Sequence, residues 1–284
     1  MDIKKVAVIG GGTMGNGIAH VFAMNEIPVH LVETSQELAD KALATIEKNL
    51  ERMVEKAKID SVQKIETLDN IKTYTNLVKG VEEADLVVEA VPEVLDLKKE
   101  VFQKVDEAVS EDTILASNTS SISITKLAAV TGRPDRFIGM HFFNPVPIMT
   151  LVELVKGLET SSETFESVEQ ISKLIDKTPV EAEDSPGFVS NRVLMPMINE
   201  AIFCVHEGVA EPEDVDTVMK LGMNHPMGPL RLADFIGLDV CLDIMEVLYD
   251  GFKDPKYRPC PLLVKMVNAG KLGNKTGEGF YVYD

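Results

Sequence analysis

The stretch Val6-Ala7-Val8-Ile9-Gly10-Gly11-Gly12-Thr13-Met14-Gly15 decides the fold of this 284-residue chain. Its first four residues form a continuous apolar run, as in a strand that is buried on both faces of a parallel sheet. The glycines fit the pattern G-x-G-x-x-G, and a helical pattern over residues 13–24 follows them directly. A strand, a glycine-rich turn and a helix in this order predict a dinucleotide-binding βαβ unit.

The turn and the next strand indicate which dinucleotide is bound. Gly10 permits a tight turn, Gly12 lets the backbone approach a pyrophosphate, and Gly15 permits close packing of helix on strand. The helix N-terminus offers free N–H groups to the phosphates. Glu33 ends the next strand, where a carboxylate accepts hydrogen bonds from ribose hydroxyls and repels a 2′-phosphate. No arginine stands at 34–38, so we predict NAD and not NADP. The alternatives are a tight turn without a ligand and a solvated glutamate.

Strands and helices alternate through the first part of the chain. Apolar patterns predict helices over 13–24, 35–58 and 96–109, and strands over 6–9, 29–32, 71–75, 85–90, 113–117, 137–141 and 151–155. This alternation is typical of a doubly wound, mostly parallel α/β sheet of the Rossmann type.

The pattern changes near Asp184-Ser185-Pro186-Gly187, and helical patterns dominate after it. They cover roughly 187–208, 211–221, 239–252 and 260–269. We therefore predict a dinucleotide-binding domain over residues 1–184 and a smaller, all-helical domain over residues 185–284. Ser185 or Asp184 is expected to cap the first helix of the second domain, with Pro186 close to its first position.

Composition argues against several classes of protein. The chain has 28 basic and 46 acidic residues, a net charge of −18, so nucleic acid and anionic membranes are poor partners. No apolar run approaches the ~18 residues of a membrane span, and the N-terminus resembles neither a signal peptide nor a transit peptide. No cluster has the spacing of metal ligands, so we expect no metal. The cysteines match no redox motif and favour a reducing, cytoplasmic compartment: Cys204, Cys241 and Cys260.

Polar clusters follow two predicted strands, at the edge where open α/β sheets bind ligands. One is Ser117–Ser121, and the other is His141–Pro145. An antiparallel return about Pro147 would set His141 opposite Glu153, with both side chains on one face. Such a carboxylate can fix the tautomer of the imidazole and stabilise the imidazolium, which suits a general acid–base catalyst. A buried structural His–Glu hydrogen bond is the alternative.

Motifs over the whole chain resemble those of a known family. In order, they are GGGTMGNGIA, DLVVEAV, ASNTSS, HFFNPVP, LVE, SPGFVSNR and GLD, of which HFFNP and SPGF-x-x-NR are the most specific. Together they resemble the L-3-hydroxyacyl-CoA dehydrogenase family, in particular its short bacterial members that act on 3-hydroxybutyryl-CoA. The resemblance implies hydride transfer between NAD(H) and 3-hydroxybutyryl-CoA or acetoacetyl-CoA. Three positions depart from the usual family residues: Glu33 stands for Asp, His20 for Gln and Arg231 for Glu.

The resemblance also implies roles for individual residues. His141 would be the general acid–base, with Glu153 as its partner, Ser120 would hydrogen-bond the substrate 3-oxygen, and Asn191 would hold the substrate. The residues expected at the cofactor are Gly10, Gly12, Thr13, Met14, Gly15, Glu33, Ala90, Glu93, Lys98 and Asn118. The residues expected at the substrate are Ser120, Asn144, Asn191, Asn49, Arg52 and Lys56.

A basic stripe is the candidate site for the phosphates of coenzyme A. Lys48, Arg52 and Lys56 recur every four residues on the predicted helix 35–58, and Asn49 borders their face. The family resemblance also places CoA contacts at Asn49 and Lys56. A solvated helix face is the alternative, because three glutamates interleave with the stripe: Glu47, Glu51 and Glu55.

Other functions stay open at this point. One is a dehydrogenase of longer-chain hydroxyacyl-CoA thioesters. A second is a dehydrogenase of a free hydroxy acid such as gulonate, which would have no use for the basic stripe. A third is a non-catalytic, NAD-binding protein of crystallin type, which need not keep the four residues named as catalytic. The apolar helices of the second domain predict a homodimer or a higher homo-oligomer.

Overall fold

The structure is a computed structural model, and it describes residues 3–283. Contacts between Cα atoms divide the chain into two compact units, with the boundary between Asp184 and Ser185. The first unit is an α/β sheet with helices, and the second consists mainly of helices. This confirms the predicted fold class.

All strands of the first unit belong to one eight-stranded sheet, in the order β3-β2-β1-β4-β5-β6-β7-β8. Strands β1 to β6 are parallel, β7 pairs antiparallel with β6, and β8 runs parallel to β7. The strand order reverses between β1 and β4, which is where open α/β sheets bind nucleotides. The strands are β1 Val6–Ile9, β2 Val29–Val32, β3 Ile71–Tyr74, β4 Leu86–Glu89, β5 Ile114–Ser117, β6 Phe137–Phe142, β7 Leu151–Lys156 and β8 Thr178–Glu183.

Seven α-helices belong to the described part of the first unit: α1 Thr13–Met24, α2 Gln36–Glu55, α3 Ser61–Asp69, α4 Leu77–Val81, α5 Leu95–Ala108, α6 Ile124–Ala128 and α7 Ser162–Leu174. Helix α2 ends before the predicted position 58 because Ala57 adopts a positive φ of 51°. The apolar residues that recur every three or four positions along α2 are buried only in part. Ala42, Ile46 and Leu50 lie in the core, whereas Leu38 is exposed.

The second unit contains α8 Ser190–His206, α9 Pro212–Thr217, α10 Pro229–Ile236, α11 Leu238–Phe252 and α12 Pro261–Asn268. The helix predicted over 211–221 is α9 followed by a short π-helical turn, Val218–Gly222. The core of the second unit is apolar and includes Ile202, Leu230 and Leu248.

The cap predicted for the first helix of the second unit is wrong. That helix begins only at Ser190, because Gly187 and Phe188 have φ values of 75° and 48°, which an α-helix does not contain. The Asp184 carboxylate instead caps α6. It accepts hydrogen bonds from Ser123 Oγ at 2.7 Å and from the backbone N–H of Thr125 at 2.8 Å.

Candidate active site

The glycine turn after β1 leaves room beside the backbone. Gly10 has a φ of 91°, and a Cβ there would lie 2.8 Å from the carbonyl oxygen of Ala90. A Cβ at Gly15 would lie 1.7 Å from the carbonyl oxygen of Gly10, so α1 packs on the turn more closely than any side chain would allow. A Cβ at Gly12 would meet no atom within 4 Å. The turn therefore presents backbone to open space at Gly12.

Glu33 is bonded to this turn. Its Oε1 accepts a hydrogen bond from the backbone N–H of Gly11 at 2.5 Å, and its Oε2 accepts one from the N–H of Thr34 at 3.1 Å. The carboxylate thus lies directly beside the glycine turn, at the end of β2.

A cavity of about 770 Å³ opens at the carboxyl ends of β2, β1 and β4, and we call it the β1 cavity. Six of the predicted cofactor residues line it: Gly10, Gly12, Thr13, Met14, Glu33 and Ala90. Helix α5 adds Leu97, Val101 and Lys104, which no motif in the sequence indicates. The volume is within the range of ligand pockets. Open backbone, a helix N-terminus and a carboxylate are the groups that hold a dinucleotide, so these residues fit NAD.

Two further predicted cofactor residues, Lys98 and Glu93, belong to a network at the ends of β4 and β5. Lys98 is 1% exposed, and its Nζ lies 2.6 Å from Glu89 Oε1 and 3.2 Å from Glu93 Oε2. It also donates to the carbonyl oxygen of Val91 at 3.2 Å, so the three protons of the ammonium have partners. Lys98 is therefore placed to orient Glu93.

Glu93 in turn holds the loop after β5. Its Oε1 accepts hydrogen bonds from Thr119 Oγ1, from the backbone N–H of Ser120 at 3.2 Å and from Ser121 Oγ at 3.0 Å. Burial opposes ionisation of Glu93, but the charge of Lys98 and these hydrogen bonds outweigh it and lower its pKa. The loop that carries Ser120 is therefore fixed by an ionised carboxylate.

Asn118 links this loop to β6. Its Oδ1 accepts a hydrogen bond from the backbone N–H of Phe142 at 2.9 Å. Phe142 directly follows His141, so the ends of β5 and β6 are tied together beside the histidine.

His141 and Glu153 face each other across the antiparallel pair of β6 and β7, in which they are register partners. His141 Nδ1 lies 2.7 Å from Glu153 Oε2, and the two residues are 8% and 2% exposed. A carboxylate at Nδ1 accepts the proton of that nitrogen, so Nε2 is the ring atom that can take up or release a proton. The ring of Phe143 packs 4.6 Å from the imidazole, between centroids.

A second cavity, of about 390 Å³, lies between the glycine turn, α2 and the loop after β6, and we call it the α2 cavity. Asn49 and Asn144, both predicted at the substrate, line it together. Lys41 and Thr45 line it as well and escaped the sequence prediction. Lys41, Thr45 and Asn49 follow one another at intervals of four residues, which puts all three on one face of α2 and is the signal that identifies the first two.

The basic stripe lies on the exposed surface of α2. Lys48, Arg52 and Lys56 are exposed and do not line the α2 cavity. Two of the interleaved acids have another partner, because Lys64 of α3 pairs with Glu47 and Glu51. The stripe is therefore accessible to an anion, and part of the negative charge between its members is compensated.

Asn191 belongs to the second unit, near the start of α8. It is 8% exposed, and its backbone N–H donates to the carbonyl oxygen of Gly187 at 3.1 Å. Within residues 3–283, no group of three or more His, Cys, Asp or Glu side chains is arranged to hold a metal ion. In the same part of the chain, every helix is too short or too polar to span a membrane.

Family models match both parts of the chain. The model described as "3-hydroxyacyl-CoA dehydrogenase, NAD binding domain" matches residues 5–185, and the model of the corresponding C-terminal domain matches residues 187–283.

Individual relatives match over the whole chain. A probable 3-hydroxybutyryl-CoA dehydrogenase of Bacillus subtilis is 54% identical over 284 residues, which cover 100% of this chain and 99% of the relative. The 3-hydroxybutyryl-CoA dehydrogenase of Clostridioides difficile is 53% identical, with 99% of each chain covered. The crystal structure of (S)-3-hydroxybutyryl-CoA dehydrogenase from Ralstonia eutropha superposes with a TM-score of 0.98 at 53% identity, covering both chains completely.

Proposed function

The chain belongs to the 3-hydroxyacyl-CoA dehydrogenase family of NAD-dependent oxidoreductases, and we propose that it is an (S)-3-hydroxybutyryl-CoA dehydrogenase. It interconverts (S)-3-hydroxybutyryl-CoA and acetoacetyl-CoA. The observation that carries the proposal is the hydrogen bond of 2.7 Å between His141 and Glu153, at the carboxyl end of β6. A pair of this kind suits the proton transfer that accompanies oxidation of an alcohol.

His141 moves the proton in this reaction. In oxidation, Nε2 takes the proton of the 3-hydroxyl group, the C3–O bond becomes a carbonyl, and the hydrogen on C3 leaves as hydride. In the reverse direction the imidazolium returns the proton to the oxygen as hydride reaches C3. NAD, when bound, supplies the hydride acceptor for oxidation and, in its reduced form, the hydride donor for reduction.

Glu153 stabilises the protonated form of His141. It is 2% exposed, so its interaction with the imidazolium is less screened than in water. The hydrogen bond to Nδ1 also orients the ring. General acid–base catalysis of this kind contributes ~10²–10⁴-fold to a rate.

Ser120 and Asn191 complete the proposed substrate contacts. Ser120 hydrogen-bonds the 3-oxygen. Its backbone N–H donates a hydrogen bond to the ionised Glu93, which supports this role because it fixes the loop. Asn191, near the start of α8, holds the substrate through its amide.

The proposed cofactor contacts divide into two kinds. The residues of the β1 cavity, with Glu33 at the ribose, bind NAD directly. Gly15 allows the close packing of α1, whereas Lys98 orients Glu93 and Asn118 fixes the strand end that carries His141.

The α2 cavity is the proposed site for part of the coenzyme A chain. Asn49 and Asn144 line one cavity with Lys41, which supports a contact with a polar, anionic ligand. We assign the terminal nucleotide of coenzyme A to the exposed stripe at Arg52 and Lys56, since phosphates need a basic partner in so acidic a protein.

We further propose that residues 1–184 bind NAD, that residues 185–284 contribute to substrate binding and dimerisation, and that the enzyme works as a cytoplasmic homodimer or higher homo-oligomer. Large apolar side chains that are exposed in the second unit support association, among them Val193, Leu221 and Phe235. The three cysteines are unpaired, which agrees with a reducing compartment.

A spectrophotometric assay tests the proposal. Oxidation of NADH is followed with acetoacetyl-CoA, with a longer 3-ketoacyl-CoA and with a free keto acid. We expect the highest kcat/KM with acetoacetyl-CoA. A preference for the longer thioester would identify a long-chain enzyme, and a preference for the free acid a gulonate-type enzyme. Binding of NADH without turnover of any substrate would identify a crystallin-like protein.

A further inference from the structure

A buried lysine holds the loop that joins the two strands of the candidate catalytic pair. This loop, residues 143–150, connects β6 to β7 and is called the 143–150 loop below. Lys177 directly precedes β8 and is 8% exposed. Its Nζ donates hydrogen bonds to the carbonyl oxygens of Val146 at 2.7 Å and Met149 at 2.8 Å.

The partners of this ammonium group are unusual. Buried charges are generally paired with an opposite charge. Lys177 makes no ion pair with any carboxylate in the described part of the chain, and its ammonium group instead donates to the two loop carbonyls. Burial lowers the pKa of Lys177, and the nearby Asp176 offsets this only in part. If the loop moved away, this buried ammonium group would lose both hydrogen bonds, and a buried charged donor without partners is costly.

The loop is fixed from two further directions. The backbone N–H of Thr178, the residue after Lys177, donates to the carbonyl oxygen of Thr150 at 2.6 Å. On another side, Val146 is 2% exposed and packs against α1, where a Cβ at Gly17 would lie 2.8 Å from Val146 Cβ. The loop is therefore held between α1 and the segment that leads into β8.

The loop also forms a wall of a candidate site. Residues 144–147 line the α2 cavity, whereas no residue of the 143–150 loop lines the β1 cavity. Gly12, Thr13, Glu33 and Leu38 line both cavities, but displacement of the loop would remove a wall of the α2 cavity alone.

We propose that Lys177 is a positioning residue, which holds the 143–150 loop in the conformation that binds the acyl-CoA substrate. Lys177 itself does not line the cavity. It acts through the backbone of Val146 and Met149, and its effect falls on substrate binding and not on the nucleotide. The inference rests on the proposed function, because the substrate is taken to be acetoacetyl-CoA.

Variants at position 177 test this role. Lys177→Met keeps the apolar stem and removes the donors, and Lys177→Arg keeps positively charged donors. The matched control is Lys173→Met, because Lys173 is exposed on α7 and, among residues 3–283, forms an ion pair with Glu169 of its own helix. For each protein, KM for acetoacetyl-CoA, kcat, Kd for NADH and Tm are measured. We expect Lys177→Met to raise KM by about tenfold, the loss that corresponds to hydrogen bonds from one charged donor.

Several results together distinguish positioning from a purely structural role. In Lys177→Met, Kd for NADH stays within about twofold of the wild-type value. In Lys177→Arg, KM for acetoacetyl-CoA returns most of the way to the wild-type value, and in Lys173→Met neither KM nor Kd changes. A wild-type KM in Lys177→Met, whatever its Tm, overturns the proposal. An equal loss of NADH affinity overturns it as well.

A second variant covers the case in which Lys177→Met does not fold. Val146→Ala loosens the loop on its α1 side and leaves the carbonyl group in place, so it also raises KM for acetoacetyl-CoA and not Kd for NADH. An unchanged KM in that variant would overturn the inference. The wild-type assay separates the two proposals: an enzyme inactive on acetoacetyl-CoA refutes the function and the inference together, whereas an active enzyme with unmoved KM in the variants refutes the inference alone.

Discussion

His141 and Glu153 lie directly opposite each other on β6 and β7, and a hydrogen bond of 2.7 Å joins Nδ1 of the imidazole to a carboxylate oxygen. Both residues are almost completely buried. The carboxylate therefore acts on the imidazole where water screens their interaction little.

Glu153→Gln tests the contribution of this carboxylate. The amide has nearly the same shape but carries no charge to stabilise the imidazolium, so we expect kcat to fall by roughly 10- to 10³-fold. Kd for NADH, measured by fluorescence titration, should not change. Glu181→Gln is the matched control, because Glu181 is exposed on the neighbouring strand. Wild-type turnover in Glu153→Gln would show that the hydrogen bond is structural only.

Glu33 is predicted to exclude NADP. Its carboxylate lies beside the glycine turn, bonded to the N–H of Gly11, and would repel a 2′-phosphate. We expect kcat/KM to be about tenfold higher, or more, with NADH than with NADPH. Glu33→Gln should reduce this preference for NADH. Glu37→Gln, at an exposed position of α2, is the control. A clear preference of the wild-type enzyme for NADPH would refute this assignment.

The basic groups of α2 are predicted to bind coenzyme A in two places. Lys41→Met should raise KM for acetoacetyl-CoA by roughly five- to tenfold through the α2 cavity. The double charge reversal Arg52→Glu and Lys56→Glu should also raise KM for acetoacetyl-CoA, through the exposed stripe. Added salt should reduce the difference in KM between this double variant and the wild type. Kd for NADH serves as the internal reference for the double variant, and Lys79→Glu is the control. An unchanged KM in both variants would place coenzyme A elsewhere.

His20 is predicted to make the protein less stable in acid. It is fully buried on α1, and neither ring nitrogen has a hydrogen-bond partner. Burial, followed by the charge of Lys177, lowers its pKa from 6.5 to about 4. Below pH 6.5 the unfolded chain takes up a proton that the folded protein does not accept until about pH 4, so stability falls across this window and is retained above it.

The size of this effect is measurable by thermal or urea unfolding at pH 7 and pH 5. Between pH 7 and pH 5, protonation of His20 in the unfolded chain should lower the unfolding free energy of the wild-type protein by about 2 kcal/mol. His20→Gln should lack this part of the decrease. His206→Gln, at an exposed position, should leave the pH dependence unchanged. Identical pH dependence in His20→Gln and the wild type would show that His20 does not resist protonation.

The nucleotide-binding half of the fold could be predicted because its signals are local. The apolar run of β1 and the glycine turn are contiguous, and Gly10 and Gly15 have steric reasons in the structure. The antiparallel register of β6 and β7 is centred on Pro147, as predicted, and sets His141 opposite Glu153.

Other features depend on contacts that the pattern does not contain. Strand β8 contains a proline, and its apolar alternation is confined to Val180 and Ala182, of which only Ala182 is buried, as an edge strand permits. Helix α3 buries Thr67 alone and depends on a capping box at Asp60. In contrast, the sequence of α7 does contain features that indicate a helix: Ser161 caps its N-terminus, and the apolar residues Val168 and Ile171 are spaced to lie on one buried face.

Roles that arise through tertiary contacts are the hardest to predict. The sequence names Lys98 as a cofactor residue, but only the structure shows that its ammonium group is bonded to Glu89 and Glu93. Lys177 carries no motif at all, and its importance lies in two carbonyl groups that belong to a distant part of the chain.

The turnover of His141→Ala shows whether the imidazole moves the proton. With saturating NADH and acetoacetyl-CoA, we expect kcat to fall by ~10²–10⁴-fold while Kd for NADH keeps its wild-type value. Near-normal turnover in this variant would exclude His141 as the general acid–base, because the imidazole would then have no part in moving the proton.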